Sequence, residues 1–270
     1  MRVAVVGTGY VGLVSGACLA ELGHDVVCVD VHAHKIALLC AGVIPIYEQG
    51  LKEIVQRNIA NRRLKFTTSY PEAIPGCDVA MIAVGTPSAA DGSVDMQYVE
   101  SAARMIGEHL TGYTVLIDKS TVPVGTTERV TSIVERVTSC PFDVVSVPEF
   151  LREGQAVKDF LYEPSRIVIG SSSDRATRIV LRLFASLKCP KVVMDPKSAE
   201  LTKYAANAFL ATKIGFINEI AHLCEELGAD VDHVARGIGL DPRIGLDFLR
   251  AGLGWGGSCF PKDVRALHLL

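Results

Sequence analysis

The sequence predicts an α/β fold: a doubly wound, parallel sheet domain followed by a mainly helical domain with one long helix. Three observations carry this. Short, fully apolar, β-branched runs recur up to about residue 194. Amphipathic helical segments alternate with them, and strands apolar on both faces need helices over both faces. After Asp195-Pro196 the strand signals stop and a long helical run begins.

Taken in order, Arg2–Val6 reads as a β-branched strand broken by Gly7. Gly9–Leu22 has helical spacing and stops at Gly23, a residue suited to a left-handed cap. Val26–Asp30 is the next strand, and Lys35–Ala41 and Gly50–Asn61 read as helices around a loop with Pro45-Ile46-Tyr47-Glu48. Val79–Val84 is an apolar strand ended by Gly85-Thr86-Pro87, and Asp95–Leu110 a helix. Thr114–Asp118 is a strand closed by Lys119-Ser120-Thr121-Val122-Pro123, before the helix Gly125–Thr138 and the strand Phe142–Val147. Strands Arg166–Ile169 and Lys191–Met194 flank the helix Asp174–Leu187.

Lys197–Leu227 contains no proline and one glycine, Gly215. As a single helix it is about 46 Å long. Leu201, Ala205, Ala208, Thr212, Phe216 and Ile220 mark an apolar stripe along it, and further helical segments follow. Such helices usually bridge domains or pack against a partner subunit. The domains are therefore expected at 1–196 and 197–270.

The chain has 270 residues, 49% apolar and 21% charged, with a net charge of −3. That excludes disordered, collagenous and disulfide-scaffold classes, and the weak charge gives no footprint for nucleic acid. Cys18, Cys28, Cys40, Cys77, Cys140, Cys189, Cys224 and Cys259 form no Cys-x-x-Cys pair. Most read as small buried residues of a reducing, cytoplasmic compartment. Val3–Ala20 lacks charge and Gly12-x-x-x-Gly16 imitates a membrane dimer motif, but Gly7, Gly9, Gly12 and Gly16 suit a strand–turn–helix better. No membrane partner is expected. The histidines have no metal-ligand spacing, His32 and His34 read as solvated, and no metal is expected.

Gly7-Thr8-Gly9-Tyr10-Val11-Gly12 follows a strand and opens a helix, the pattern of a Rossmann-type turn. Its glycines allow the tight turn, the approach of a pyrophosphate and close helix–sheet packing, and the helix start offers N–H groups to the phosphates. Asp30 closes the second strand, where a carboxylate accepts from a ribose hydroxyl and repels a 2′-phosphate, so NAD is favoured over NADP. An incidental acid beside a glycine turn is the plainer alternative. Thr86, Pro87, Ser120 and Thr121 end strands at the same carboxyl edge, where such folds bind ligands.

Cys259 lies in Gly254-Trp255-Gly256-Gly257-Ser258-Cys259-Phe260-Pro261-Lys262-Asp263. Pro261 suits a first helical turn, and a cysteine before a helix, with Lys262 nearby, gains thiolate character. A buried structural cysteine is the alternative, which suits the other seven better. Lys203 and Asn207 share one helix face and together can polarise a carbonyl or hold an oxyanion; a surface lysine beside a buried asparagine is equally consistent. Glu149 and Glu153 follow a strand at the carboxyl edge and suit either base chemistry or helix capping.

These motifs converge. With Ile44-Pro45-Ile46-Tyr47-Glu48, Ser120-Thr121-Val122-Pro123, Pro148-Glu149-Phe150-Leu151, Lys203-Tyr204-Ala205-Ala206-Asn207 and Gly256-Gly257-Ser258-Cys259-Phe260-Pro261-Lys262-Asp263, the whole chain resembles the UDP-glucose/GDP-mannose dehydrogenase family. The resemblance implies a four-electron oxidation of a nucleotide sugar at C6 with two NAD, through a thiohemiacetal and a thioester on Cys259. Asp241-Pro242-Arg243-Ile244-Gly245 fits the branch that takes UDP-glucose to UDP-glucuronate.

By motif match, Lys203 and Asn207 steady the oxyanion, and Asp263 positions Lys203 or water. Thr121 and Glu149 serve catalytic water and proton transfer. Gly7, Gly9, Tyr10, Val11, Gly12, Asp30, Lys35, Thr86, Pro87, Thr121, Glu153 and Lys262 are the expected cofactor residues, with Asp30 and Lys35 at the adenosine ribose and Glu153 near the nicotinamide. Glu149, Phe150, Leu151, Glu153, Lys203 and Asn207 are expected at the substrate, with Phe248, Leu249, Gly252, Gly254 and Gly256 along the nucleotide sugar. Arg243 is expected to reach the sugar of a neighbouring subunit, in a homodimer or larger homo-oligomer. Family members continue into a second nucleotide-binding domain, so a truncated form with weakened turnover is expected. A GDP-mannose or other nucleotide-sugar dehydrogenase, a two-electron hydroxyacid dehydrogenase and a catalytically silent NAD-binding, dimerising fragment are the alternatives.

Overall fold

The computed structural model describes residues 1–269. Its first strands and helices are β1 (Arg2–Val6), α1 (Tyr10–Glu21), β2 (Asp25–Val29), α2 (Ala33–Cys40), α3 (Leu51–Ala60) and β3 (Leu64–Thr67). Then come α4 (Tyr70–Ala73), β4 (Val79–Ile82), α5 (Gln97–Glu108), β5 (Thr114–Asp118), α6 (Thr126–Glu135) and β6 (Phe142–Ser146). A π-helical turn, Lys158–Tyr162, precedes β7 (Ile167–Gly170), α7 (Asp174–Leu183) and β8 (Lys191–Met194). The helices α8 (Pro196–Leu227), α9 (Val231–Gly239) and α10 (Phe260–His268) follow.

The strands form one sheet in the order β3-β2-β1-β4-β5-β6-β7-β8. From β1 the chain builds outward to β3, then returns to build β4, β5 and β6 on the other side. The order reverses between β1 and β4, and such a switch point opens a crevice at the carboxyl ends of the strands. The apolar runs behave as the sequence implies: every residue of β4 and β5 is buried.

Three features depart from the sequence reading. It assigns no element to residues 62–78, which hold β3 and α4; β3 is an edge strand whose alternating burial leaves it no continuous apolar run. The sheet is not wholly parallel, because β7 pairs antiparallel with β6 at Ser146 and Gly170, and β8 runs parallel to β7. The stripe read along α8 is largely outward: Leu201, Ala205, Thr212 and Phe216 are exposed, whereas Lys203, Tyr204, Asn207 and Ala211 are buried.

The cysteines are also less uniform than expected. Cys18, Cys28, Cys77 and Cys224 are buried, but Cys140 and Cys189 are half-buried and Cys40 is exposed at the end of α2. No helix among the described residues is long and apolar enough to cross a membrane.

Two compact units result, Met1–Pro87 with Asp95–Leu201, and Ser88–Val94 with the chain from Thr202 onward. The first holds the sheet and its large core. The second has its own small core of Ile217, Ala235 and Leu249, packed by Ile220, Val231, Ile238 and Ala251.

Candidate active site

In the sheet unit, β1 runs into the glycine turn. Gly7 has φ +100°, a left-handed conformation, and a Cβ there would collide with the Ala83 carbonyl. A Cβ on Gly12 would collide with the Gly7 carbonyl. A Cβ on Gly9 would meet no protein atom, so this backbone faces open space at the start of α1. That is the cradle a pyrophosphate needs.

Asp30 follows β2 and is buried. Its Oδ2 accepts from Thr8 N (2.9 Å), Thr8 Oγ1 (2.6 Å) and Lys35 Nζ (2.9 Å), and its Oδ1 from His32 N (3.0 Å). Burial pushes the carboxyl up, but hydrogen bonds from Thr8, Lys35 and His32 outweigh it and hold it down at about 2. The sequence brings Asp30 and Lys35 to one site, as the structure does. It missed Thr8, whose hydroxyl between two glycines in register with an acid was the available signal.

Thr86 and Ser120 are buried, Thr121 is half-buried and Pro87 is exposed. Ser120 donates to the Val84 carbonyl at 3.0 Å, tying the loops after β4 and β5 together. Beneath them Asp118 is buried, and burial together with the Glu200 charge pushes its carboxyl well above the usual range. Glu200, in the first turns of α8, accepts from Gly125 N (2.6 Å), Thr127 N (2.8 Å) and Thr127 Oγ1 (2.8 Å). It thus serves the N–H groups at the start of α6. Neither acid was singled out in the sequence.

The segment after β6 carries the other expected carboxylates. Glu149 is buried and accepts from Leu151 N at 2.7 Å, whereas Glu153 is exposed. The Arg166 guanidinium lies 3.8 Å from the Phe150 ring centroid. Arg152 grips Asp159 through Nη2 (2.6 Å) and Nε (3.0 Å). Gly154 N–H is shared between Tyr10 OH (3.0 Å) and Glu48 Oε2 (2.9 Å), and the Tyr10 hydroxyl donates to Glu48.

In the helical unit, Lys203 and Asn207 are buried on one face of α8. Asn207 Nδ2 donates to Asp263 Oδ2 at 2.6 Å, and Lys262 Nζ pairs with Asp263 Oδ1 at 2.6 Å. Asp263 is almost fully buried. Lys262 therefore matches a carboxylate, rather than standing as a charge directed at the thiol. Cys259 is exposed at the N-cap of α10, with Pro261 in the first turn, and its Sγ lies 3.5 Å from Ser258 Oγ.

The preceding loop is braced by aromatic contacts, with Phe260 6.3 Å from Phe248 and 6.5 Å from Trp255 between ring centroids. Phe248 adopts φ +64°, an uncommon conformation for a side-chain-bearing residue. Gly252 N donates to Asn218 Oδ1 at 2.9 Å, and Gly254 and Gly256 are exposed. Leu249, expected along the nucleotide sugar, has its side chain buried in the unit's core. Arg243 is exposed and paired with Asp241 at 2.6 Å.

A glycine turn at the switch point of a doubly wound sheet, with an acid ending the next strand, defines a dinucleotide-binding protein. Residues 1–188 match the UDP-glucose/GDP-mannose dehydrogenase family's NAD-binding domain, and residues 197–270 match its central domain. The chain belongs to that family.

It is 55% identical to UDP-glucose 6-dehydrogenase TuaD of Bacillus subtilis over 268 residues, 98% of this chain and 58% of that protein. Among solved structures, a UDP-glucose dehydrogenase from the archaeon Pyrobaculum islandicum superposes with TM-score 0.94 at 47% identity, covering 98% of this chain and 62% of that one. A GDP-mannose dehydrogenase from Pseudomonas aeruginosa gives TM-score 0.87 at 35% identity, covering 100% of this chain and 64% of that one. The chain thus spans about 60% of the length of these relatives.

Proposed function

We propose that the chain carries the cofactor-binding and cysteine-bearing parts of an NAD-dependent 6-dehydrogenase that oxidises UDP-glucose to UDP-glucuronate. The observation that carries this reading is an exposed cysteine at the start of α10, in the unit that buries Asn207 against Asp263. A two-electron alcohol dehydrogenase has no need of that thiol. A four-electron oxidation does, because a covalent handle holds the aldehyde until it becomes an acid.

The residues fit NAD. Gly9 leaves the cradle open, and Asp30 presents an ionised carboxylate at the ribose position. When bound, NAD supplies the hydride acceptor, one molecule for each of the two oxidations. In the first half the C6 alcohol loses a hydride and a proton, giving the aldehyde. The Cys259 sulfur then bonds to the aldehyde carbon, and the carbonyl oxygen takes a proton, giving a thiohemiacetal. Loss of a second hydride and the hydroxyl proton gives the thioester. Water adds to it, the C–S bond breaks, and the acid and free thiol remain.

Lys203 and Asn207 hold the oxygen that becomes negative when sulfur or water adds. Asp263 accepts one Asn207 amide N–H at 2.6 Å and so fixes the side chain assigned to that oxygen. Glu149 and Thr121 are assigned to water and proton transfer, and Glu153 to the nicotinamide side. The partner is a second copy of the chain, supported by exposed Phe209, Phe216 and Leu223 recurring one heptad apart on α8.

The test is Cys259→Ser, with product analysis on UDP-glucose and NAD. Loss of the carboxylate product is expected; unaffected turnover would assign two-electron chemistry without the cysteine. GDP-mannose, favoured as a second reading by the Pseudomonas structure, is compared in the same assay.

A further inference from the structure

Eight residues after β6 do something the strand order makes visible. The chain leaves β6 at Ser146, yet Gly154 is bound to Tyr10 and Glu48, beside the glycine turn that follows β1. In the sheet, β5 and β4 lie between β6 and β1. Three inter-strand steps are about 14 Å, within reach of this segment in extended form. Residues 147–154 therefore form a strap over the carboxyl ends of β5 and β4. Its near end is fixed by Val147 N, which donates to the Asp118 carbonyl at 2.8 Å.

The far end is fixed by a buried acid on a third loop. Glu48 lies between α2 and α3, is buried, and shares the Gly154 N–H with the Tyr10 oxygen while taking the Tyr10 proton. Burial and then the Glu48 hydrogen bond push the Tyr10 phenol well above its usual range, which favours the donating form. A carboxylate bonded at once to a phenol and an amide is a strong, directional pin. Among the described residues the other Glu48 oxygen, Oε1, is buried without a hydrogen-bond partner, and the side chain is held here by Tyr10 and Gly154.

Asp30 assigns the adenosine end of a dinucleotide to the β2 side of the switch point. Its other end must then run toward β4 and β5, beneath the strap. We propose that Tyr10 and Glu48 are positioning residues that latch the strap over the nicotinamide half of the cofactor, holding Glu149 and its neighbours in register with that half. This rests on the dinucleotide reading above, and it gives the Tyr10 side chain a task separate from the main-chain phosphate cradle.

The test compares NAD with ADP-ribose, which lacks the nicotinamide, by calorimetry on the 270-residue chain. Glu48→Leu is expected to weaken NAD by at least about tenfold, as for a lost charge-assisted hydrogen bond, and ADP-ribose by less than about threefold. Glu48→Gln, which still accepts from Gly154, is expected to restore most NAD affinity. Amide exchange provides a readout free of any ligand: the Gly154 amide is protected in the wild type and exchanges faster in Glu48→Leu and Tyr10→Phe. Equal weakening of both ligands would make Glu48 part of the phosphate turn and overturn the latch. So would unchanged affinities, or a Gly154 amide indifferent to both substitutions. A wild type that bound neither ligand would instead sink the dinucleotide reading, and the latch with it.

Discussion

Gly9 and Gly12 stand three positions apart in the same glycine motif, but a methyl group at each meets different neighbours. At Gly12 it collides with the Gly7 carbonyl, whereas at Gly9, with φ −68°, it meets open space and no strain. Gly12→Ala is therefore expected to lower the thermal midpoint, and Gly9→Ala to leave it unchanged while abolishing NAD binding; melting and calorimetry on the two variants check this. Asp30 yields a pH signature. Its carboxyl is held at about 2, below its unfolded value, so its stabilisation is fully present above about pH 4 and disappears as pH falls toward 2. The stability gap between the wild type and Asp30→Asn, measured by urea unfolding, should hold from pH 7 to 5 and shrink below pH 4. The glycine pattern and Asp30 were legible because both are local in sequence. The contacts of Glu48 and Glu200 were not, because each acts on a group that only folding brings near.

Among the elements, α6 depends on a residue from another helix. Its N-cap, Gly125, has no side chain, and Glu200 of α8 takes that role by accepting the Gly125 and Thr127 N–H groups. Glu200→Ala leaves buried donors unsatisfied and is expected to destabilise the chain by roughly 2 kcal/mol in chemical unfolding. Glu200→Gln, which keeps one acceptor, should cost less. The buried strands β1, β4 and β5 could be read from the sequence because a strand covered on both faces is apolar throughout. The edge strand β3, Leu-Lys-Phe-Thr, has only two inward residues and no such run. The reversal at β7 leaves no mark in composition, since apolar strands read alike in either direction. On α8 the apolar count misled, because the buried face includes Lys203 and Asn207 and the exposed one Phe209 and Phe216.

For the whole molecule, the exposed phenylalanines and the chemistry lead to separate predictions. Phe216→Asp places a charge in the proposed self-association face and should turn a dimer into a monomer in sedimentation; a wild-type monomer would refute that partner. The family was legible in the sequence because its motifs are contiguous runs of residues, several in loops and one inside α8. What those loops do together depends on sheet order, which the sequence does not spell out. Under the proposed function, Cys259 carries the sugar through two successive oxidations. Counting NADH formed per UDP-glucose consumed, at limiting sugar and excess NAD, tests it most directly. Two NADH per sugar with UDP-glucuronate as product are expected; one NADH per sugar with the aldehyde accumulating would rule out the thioester route.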